Sequence, residues 1–360
     1  MRFTLLKLGV VVVLLALTSW SPAAQRPGGA VVGPALQSIG PLTFGPNGVL
    51  FAADTQTATI FALELGSQAS AVPGAADLSA IDRKIAAMLG TDVREITVTD
   101  LTVHPQSRNA FISMMRGQGE GAKPVLLRVD GSGKMEVVSL EKVRYSSVTL
   151  PNPPGGGQRA RTQSITDMKY SDGKLFVAGL SNEEFASKLR SVSYPFGTVD
   201  KGTSVEIYHG NHRQLETRSP VYAFVPYTVN GAPSLIAGYL CTPLVEFPIA
   251  DLTPGAKVRG KTIAELGAGN RPLDMIVYKK DNKEYLLMSN NSRGVMKIPT
   301  AGFGSAKPIT APVDSETAGV PYETITGMKG VEQLAKLDDQ RSLILARADG
   351  ALNLQAVPLP

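Results

Sequence analysis

Residues 41–53, PLTFGPNGVLFAA, decide the fold. They read as an apolar strand (Pro41 to Phe44), a turn on Gly45-Pro46-Asn47-Gly48, and a second apolar strand (Val49 to Ala53). Gly, and Asn more readily than most residues, accept the positive φ that a tight reversal needs. The phrase recurs downstream. Asp100 to Val103 and Ala110 to Ser113 flank a turn through His104 to Asn109. Asp167 to Tyr170 and Lys174 to Ala178 flank Asp172-Gly173, and Pro220 to Phe224 and Ser234 to Ala237 flank Asn230-Gly231. Asp274 to Val277 precedes Tyr285 to Met288, and Gln333 to Ala335 precedes Ser342 to Leu345. Successive copies begin 59, 67, 53, 54 and 59 residues apart.

A third apolar stretch follows each pair: Thr59 to Leu63, Val125 to Val129, Leu189 to Val192, Leu244 to Pro248, Gly294 to Ile298 and Ala351 to Val357. Met135 to Leu140 and Val205 to Tyr208 read as fourth strands. Six such units in tandem specify an all-β fold, a six-bladed β-propeller with blades starting near 41, 100, 167, 220, 274 and 333. A single sheet cannot bury both faces, and stacking sheets around an axis does so. Ala30 to Leu36 is expected to close the ring as the outer strand of the last blade. Two short helical insertions are expected. Asp77 to Leu89 has Ile81, Ile85, Met88 and Leu89 at helical spacing and Gly90 as a stop. Ser181 to Lys188 has a capping Ser or Asn and Glu183-Glu184 in its first turn. Leu150 to Thr162, rich in Pro and Gly, is expected to be an irregular loop.

Residues 1–23 read as a secretory signal peptide, with Arg2 and Lys7, an apolar run from Leu8 to Leu17, and Ser21-Pro22-Ala23 at the cleavage position. Retention as an anchor is the alternative; no later stretch is long and apolar enough to span a bilayer. The expected domain is thus 24–360, secreted or periplasmic and monomeric. Without Arg2 and Lys7 the 36 basic residues fall to 34 against 31 acidic, too even a balance to suggest nucleic acid. Cys241 is the single cysteine, so neither an internal disulfide nor a Cys-x-x-Cys-His haem site exists. Stability must come from a large core. Gly131-Ser132-Gly133-Lys134 lacks the context of a phosphate-binding loop, so no nucleotide is expected, and no Gly-x-Ser-x-Gly elbow is present.

The inner strand of a propeller blade comes first. The loops leading into the inner strands, and those between second and third strands, open on one face, called the front here. Asp100, Asp167 and Asp274 stand where three inner strands begin and are expected to ring the channel mouth. With Asn182 and Asn290 they offer oxygens that suit calcium. An Asp at a strand start also accepts loop amide hydrogens, which is the architectural reading. Arg116, Tyr239 and Arg293 fall in loops of the same face and join these five as ligand-binding candidates. Arg144, Arg159, Arg161 and Arg190 add to its positive charge. His209-x-x-His212-x-x-x-Glu216 lies on the way into the fourth inner strand. Imidazole and carboxylate suit zinc, copper or iron, and a Cys241 thiolate on the same face would favour copper or zinc. His209, His212 and Cys241 are therefore metal candidates, with Glu216 as general base. The competing reading is a histidine pair hydrogen-bonded within a long loop. His104, in a His-Pro turn on the back, reads as a turn residue.

The phrases LTFGPNGVLFAAD, TDLTVHPQSRNAFIS, TDMKYSDGKLFVAG and RPLDMIVYKKDNKEYLLMSN resemble the NHL-type and gluconolactonase-like six-bladed propellers over most of the chain. The resemblance implies the fold and a ligand site at the central channel. Calcium-dependent lactonases of that superfamily place acidic and amide residues there, and Asp100, Asp167 and Asp274 are similar in kind. Pyrroloquinoline-quinone dehydrogenase propellers carry repeated tryptophan motifs. Trp20 is the sole tryptophan and leaves with the signal peptide, which argues against that cofactor and against WD repeats. The leading expectation is a binding protein meeting a small molecule or protein at the front mouth. The alternative is a metal-dependent, lactonase-like hydrolase using a divalent ion (calcium, zinc or copper) on the same face. A scaffold for protein contacts is the third class.

Overall fold

The computed structural model describes residues 33–69, 72–241 and 243–360. The expected signal peptide and residues 30–32 lie outside this set. Among the described residues no helix is long and apolar enough to cross a membrane. Six sheets make the six blades. Their inner strands are Leu42–Phe44, Ile96–Val103, Asp167–Ser171, Val221–Val229, Pro272–Lys280 and Val331–Lys336. The reversals fall where turn chemistry puts them. Asp172 and Gly173 have φ of 49° and 79°, and Asn230 and Gly231 have 49° and 82°.

Packing does not follow chain order. The inner strand of blade one touches those of blades two and three, and that of blade two touches that of blade six. Around the axis the blades run two, one, three, four, five, six. An apolar cluster fills each of the six boundaries in that ring. Phe51 and Ile60 of blade one meet Met168 and Val177 of blade three. Leu101 and Ile112 of blade two meet Leu343 and Leu345 of blade six. The cause is a nested connection. The chain leaves blade one after its third strand (Thr59–Glu64), builds blade two, and returns with Arg144–Thr149 as the fourth strand of blade one. The repeat specifies each blade and is silent about its neighbours, so a simple tandem ring is the wrong order.

Of Ala30 to Leu36, expected to close the ring, the described part does not do so. Pro34–Leu36 lie outside any strand, and Gly33 N–H donates to the Glu141 carbonyl at 2.8 Å. The outer edge of blade six (Ala351–Pro358) is instead covered by the segment leading into blade two. Leu78 and Leu354 exchange N–H···O bonds of 2.9 Å. Asp77 Oδ1 accepts from Ala356 N–H at 2.7 Å, and Asp82 Oδ2 accepts from Leu352 N–H at 3.0 Å. Helix α1 (Ile81–Leu89) follows, drives Ile81 and Ile85 into the boundary between blades two and six, and stops at Gly90 with φ of 62°. An uncovered strand edge is an aggregation hazard, and this clasp removes one.

The second expected helix, Ser181 to Lys188, does not form. Ser181 Oγ accepts from Glu183 N–H at 3.2 Å, so the capping bond is made, but it closes a turn. Ser187–Ser193 then pairs along Lys174–Leu180 as a third strand, where ladder bonds and burial override helix signals. The second helix is α2 (Gln158–Arg161), inside the expected irregular loop.

The clasp gives a measurable expectation. Asp82 is buried, and Asp82→Ala leaves the Leu352 amide unpaired at a cost of about 1–3 kcal/mol. Urea unfolding should show this loss, while Asp339→Ala, which removes an exposed pair with Lys336, leaves the midpoint unchanged.

Candidate functional site

The channel is lined by the three recurring aspartates, and their carboxylates are already engaged. Asp100 Oδ2 accepts from Leu42 N–H of blade one at 2.6 Å. Asp167 Oδ2 accepts from Phe224 N–H of blade four at 2.8 Å, and Asp274 Oδ2 from Leu334 N–H of blade six at 3.1 Å. The other oxygen of each takes the next amide of its own strand, at 2.7–2.8 Å. In ring order these bonds join two to one, three to four and five to six, so every second boundary is bridged in one direction. Lys169 reaches among them, with Nζ 3.1 Å from Asp167 Oδ1 and 3.8 Å from Asp274 Oδ1. Burial pushes all three carboxyls upward. Asp100 goes well above the ordinary range, with Asp274 adding repulsion, and Asp274 rises to about 6 against the pull of Lys169. Burial weakens the Lys169 ammonium, but Asp167, Asp274 and Asp100 outweigh it and hold its pKa above the usual range.

The front mouth opens into a cavity of about 650 Å³. One-residue register shifts shape it. Between Val98 and Asp100, Val221 and Ala223, Pro272 and Asp274, and Val331 and Gln333 the inner strand slips by one residue against its partner. A bulge re-aims a side chain. The extra residues Thr99 and Tyr222 line the mouth cavity, and Leu273 and Glu332 line an adjoining one of about 590 Å³. Arg271 borders both and lies over the Tyr222 ring, 5.6 Å from its centroid. Arg159 of α2 and the amides of Gln37, Gln56, Gln118, Gln158 and Gln163 add to the polar wall, and no carboxylate is among the described lining residues of the mouth cavity.

The histidines lie elsewhere, on the rim where blades three and four meet. His209 ends the outer strand of blade three (Thr203–His209), which turns back through Gly210–Arg213 into Gln214–Glu216. Ile207 pairs with Glu216 and His209 with Gln214, so His209 and Glu216 share one face of this hairpin. Glu216 Oε1 receives both imidazoles, His209 Nδ1 at 3.1 Å and His212 Nδ1 at 2.6 Å, and the rings lie 3.7 Å apart. Burial works against the Glu216 charge, yet these two bonds outweigh it and hold its carboxyl down at about 2. That suits Glu216 to pairing with a cation more than to accepting a proton near neutral pH. Behind His209 stands Glu265, which ends the outer strand of blade four (Lys261–Glu265).

The remaining candidates disperse. Cys241 is outside the His209–His212–Glu216 group; Cys241 N–H bonds the Asn270 carbonyl at 2.7 Å, and its Sγ lies 3.4 Å from Gly269 N. Tyr239 is buried at the blade three–four boundary, and burial pushes its phenol upward. Asn290 lines the adjoining cavity, where it donates to Asn270 Oδ1 at 2.7 Å and accepts from Arg293 N–H at 3.0 Å. Arg293 pairs with Glu316, and Arg116 and Asn182 are exposed beside the mouth and the blade-three turn. Arg190 is buried in its strand, and burial lowers its guanidinium to about 10. His104 closes its turn by bonding Ser107 Oγ at 2.8 Å.

Sequence reading missed Lys169, Arg271, Tyr222 and Glu265. Lys169 had a signal: it is a charged residue two positions after a recurring Asp, inside an apolar inner strand. Arg271 and Tyr222 sit just before or just inside inner strands, the position already marked by aspartate. Glu265 had none, because it meets His209 only across a blade boundary.

No family model matches the chain, and no curated protein does. Among solved structures, a glucose dehydrogenase is 11% identical, covers 90% of this chain and 97% of its own, and has a TM-score of 0.40. The GH43B protein of the Bacteroides ovatus xyloglucan PUL is 9% identical over 69% of this chain and 50% of its own, at 0.32. The PQQ-bound aldose sugar dehydrogenase of Streptomyces coelicolor is 12% identical over 91% and 96%, at 0.31. None of the three is named as an NHL-type or gluconolactonase-like protein, and the resemblance stands at the level of a six-bladed propeller. At these identities and scores no activity passes to this chain, and the expectation against pyrroloquinoline quinone gains no support.

The central cluster predicts a pH dependence. Asp274 is raised in the folded state, so its cost to stability is absent below the ordinary 3.8 and complete above about 6. Lys169→Met removes the cation that limits this cost. The loss of unfolding free energy in that variant should be greater at about pH 8 than at about pH 4.5, as read by urea titration. Equal losses at both values would contradict the assignment of Lys169 as the counter-charge.

Proposed function

We propose that the protein is an exported binding protein that takes a polyhydroxylated small anion, of the sugar-acid class, at the front mouth of the channel. The observation that supports this is the chemistry of the cavity wall. Its polar side chains are amides, hydroxyls and the guanidiniums of Arg159 and Arg271, with no carboxylate, imidazole, thiol or amine among the described lining residues. Amides and hydroxyls recognise hydroxyl groups, and guanidinium recognises carboxylate or phosphate. Amides, aliphatic hydroxyls and guanidiniums are not general acids or bases near neutral pH, which favours retention over acid–base turnover. The volume is that of a small-molecule site. A metal-dependent hydrolase would need its metal beside the substrate, and none of His209, His212 and Glu216 lines this cavity.

Calorimetry with gluconate, galacturonate, glucose and pyrroloquinoline quinone (a tricarboxylate) tests the reading. An acid sugar should bind while glucose does not, and Arg271→Ala should weaken it about tenfold or more, the worth of one charge-assisted hydrogen bond. Equal binding of glucose and gluconate, or an affinity unmoved by Arg271→Ala, contradicts it. Turnover of the bound sugar would replace it with an enzymatic reading. Export is tested separately by mass spectrometry of the mature chain, which should begin after Ala23.

A further inference from the structure

We propose that His209, His212 and Glu216 hold a divalent transition-metal ion of the zinc class on the rim between blades three and four, with Glu265 orienting His209 from behind. The starting point is a pair of buried atoms that hydrogen bonding leaves unexplained. His209 Nε2 and Glu265 Oε2 face each other at 3.7 Å, both side chains are fully buried, and neither atom has a hydrogen-bond partner among the described residues. If a neutral His209 donates through Nδ1 to Glu216 and Glu265 is ionised, Nε2 presents a lone pair to a carboxylate oxygen, acceptor against acceptor. A metal on Nδ1 reverses this. It takes the Nδ1 lone pair, places the ring proton on Nε2, and gives Glu265 a donor. Metal-bound histidines characteristically donate their second nitrogen to a carboxylate in this way.

The remaining geometry agrees. His209 Nδ1 and His212 Nδ1 converge on one Glu216 oxygen, and ligand atoms of the three lie within 4.8 Å of one another. Ligands about 2.0 Å from a tetrahedral ion stand roughly 3.3 Å apart, so the two nitrogen–oxygen pairs, at 3.1 and 2.6 Å, need to open by less than about 1 Å. Two imidazoles and one carboxylate favour zinc or a neighbouring transition metal over calcium or magnesium. His212 is 40% exposed, which leaves the fourth coordination position facing solvent. In the same turn both polar atoms of the Asn211 amide are buried without a hydrogen-bond partner among the described residues. The hairpin is also held close to blade four. Gly210 N–H donates to Glu265 Oε1 at 2.6 Å, and a Cβ at Gly210 would stand 2.7 Å from Val313.

The test uses the full chain, tag-free, dialysed against zinc and analysed for metal, then titrated against a chromophoric zinc chelator. One zinc per chain is expected, with affinity falling at least tenfold in His212→Ala and in Glu216→Gln, and 10–100-fold in Glu265→Gln through its action on His209. Because His212 is exposed, His212→Ala should keep the wild-type circular dichroism. Cobalt(II) in place of zinc should give visible d–d absorption that His212→Ala abolishes. Less than stoichiometric zinc at saturation, calcium bound in preference to zinc, or zinc affinity unmoved in both His212→Ala and Glu216→Gln would each overturn the proposal.

Discussion

The carboxylate-to-amide bridge across a blade boundary is the interaction on which the ring depends. A propeller has no covalent closure, and this chain has no disulfide to substitute for one. Each blade therefore has to be positioned by what its inner strand touches. Asp100, Asp167 and Asp274 do this at alternate boundaries, each joining its own strand to the next blade. Three neighbouring carboxylates repel one another, and Lys169 sets a limit on that repulsion. The channel is thereby occupied by the protein's own charges. A ligand must bind further out, where the register shifts turn Thr99 and Tyr222 to face the mouth.

The blades were legible because strand and turn chemistry is local. A period-two apolar run and an Asn-Gly or Asp-Gly pair specify a hairpin whatever surrounds them. The order of the blades was not legible, because it depends on Arg144–Thr149 returning to Thr59–Glu64 across the whole of blade two. The same divide runs through the sites. The recurrence of Asp at one repeat position pointed to the channel, and His209, His212 and Glu216 were found through their closeness in sequence. Glu265 and Arg271 act through partners on other blades, and a single sequence carries no mark of such a meeting. Ser181 shows the converse: its capping bond formed as expected, yet the strand ladder decided the structure around it.

Charge is divided by place in this molecule. The mouth cavity is walled by neutral hydrogen-bonding groups and guanidinium, the channel below it by carboxylates around one ammonium, and the rim by imidazoles between two glutamates. The separation is physical as well as topological. The channel carboxylates are held by backbone amides, and Glu332 of the adjoining cavity is paired with Arg347 at 2.6 Å. Arg271 is thus kept available to solvent-side anions in a protein whose acidic and basic residues are nearly balanced.

The nested connection of blade one bears on how the chain is made. A ribosome delivers residues in order, so the three strands ending at Glu64 emerge long before Arg144–Thr149 can cover their edge. Throughout that interval Thr59–Glu64 presents an unpaired strand, the kind of edge onto which other chains add. The blade that starts first is finished second, and the clasp from Asp77 to Leu89 waits longer still, until Ala351–Pro358 appears. Nascent chains stalled before residue 144 carry an open edge that no local rearrangement can hide. The exposure is confined to synthesis, because in the finished ring Arg144–Thr149 covers that edge.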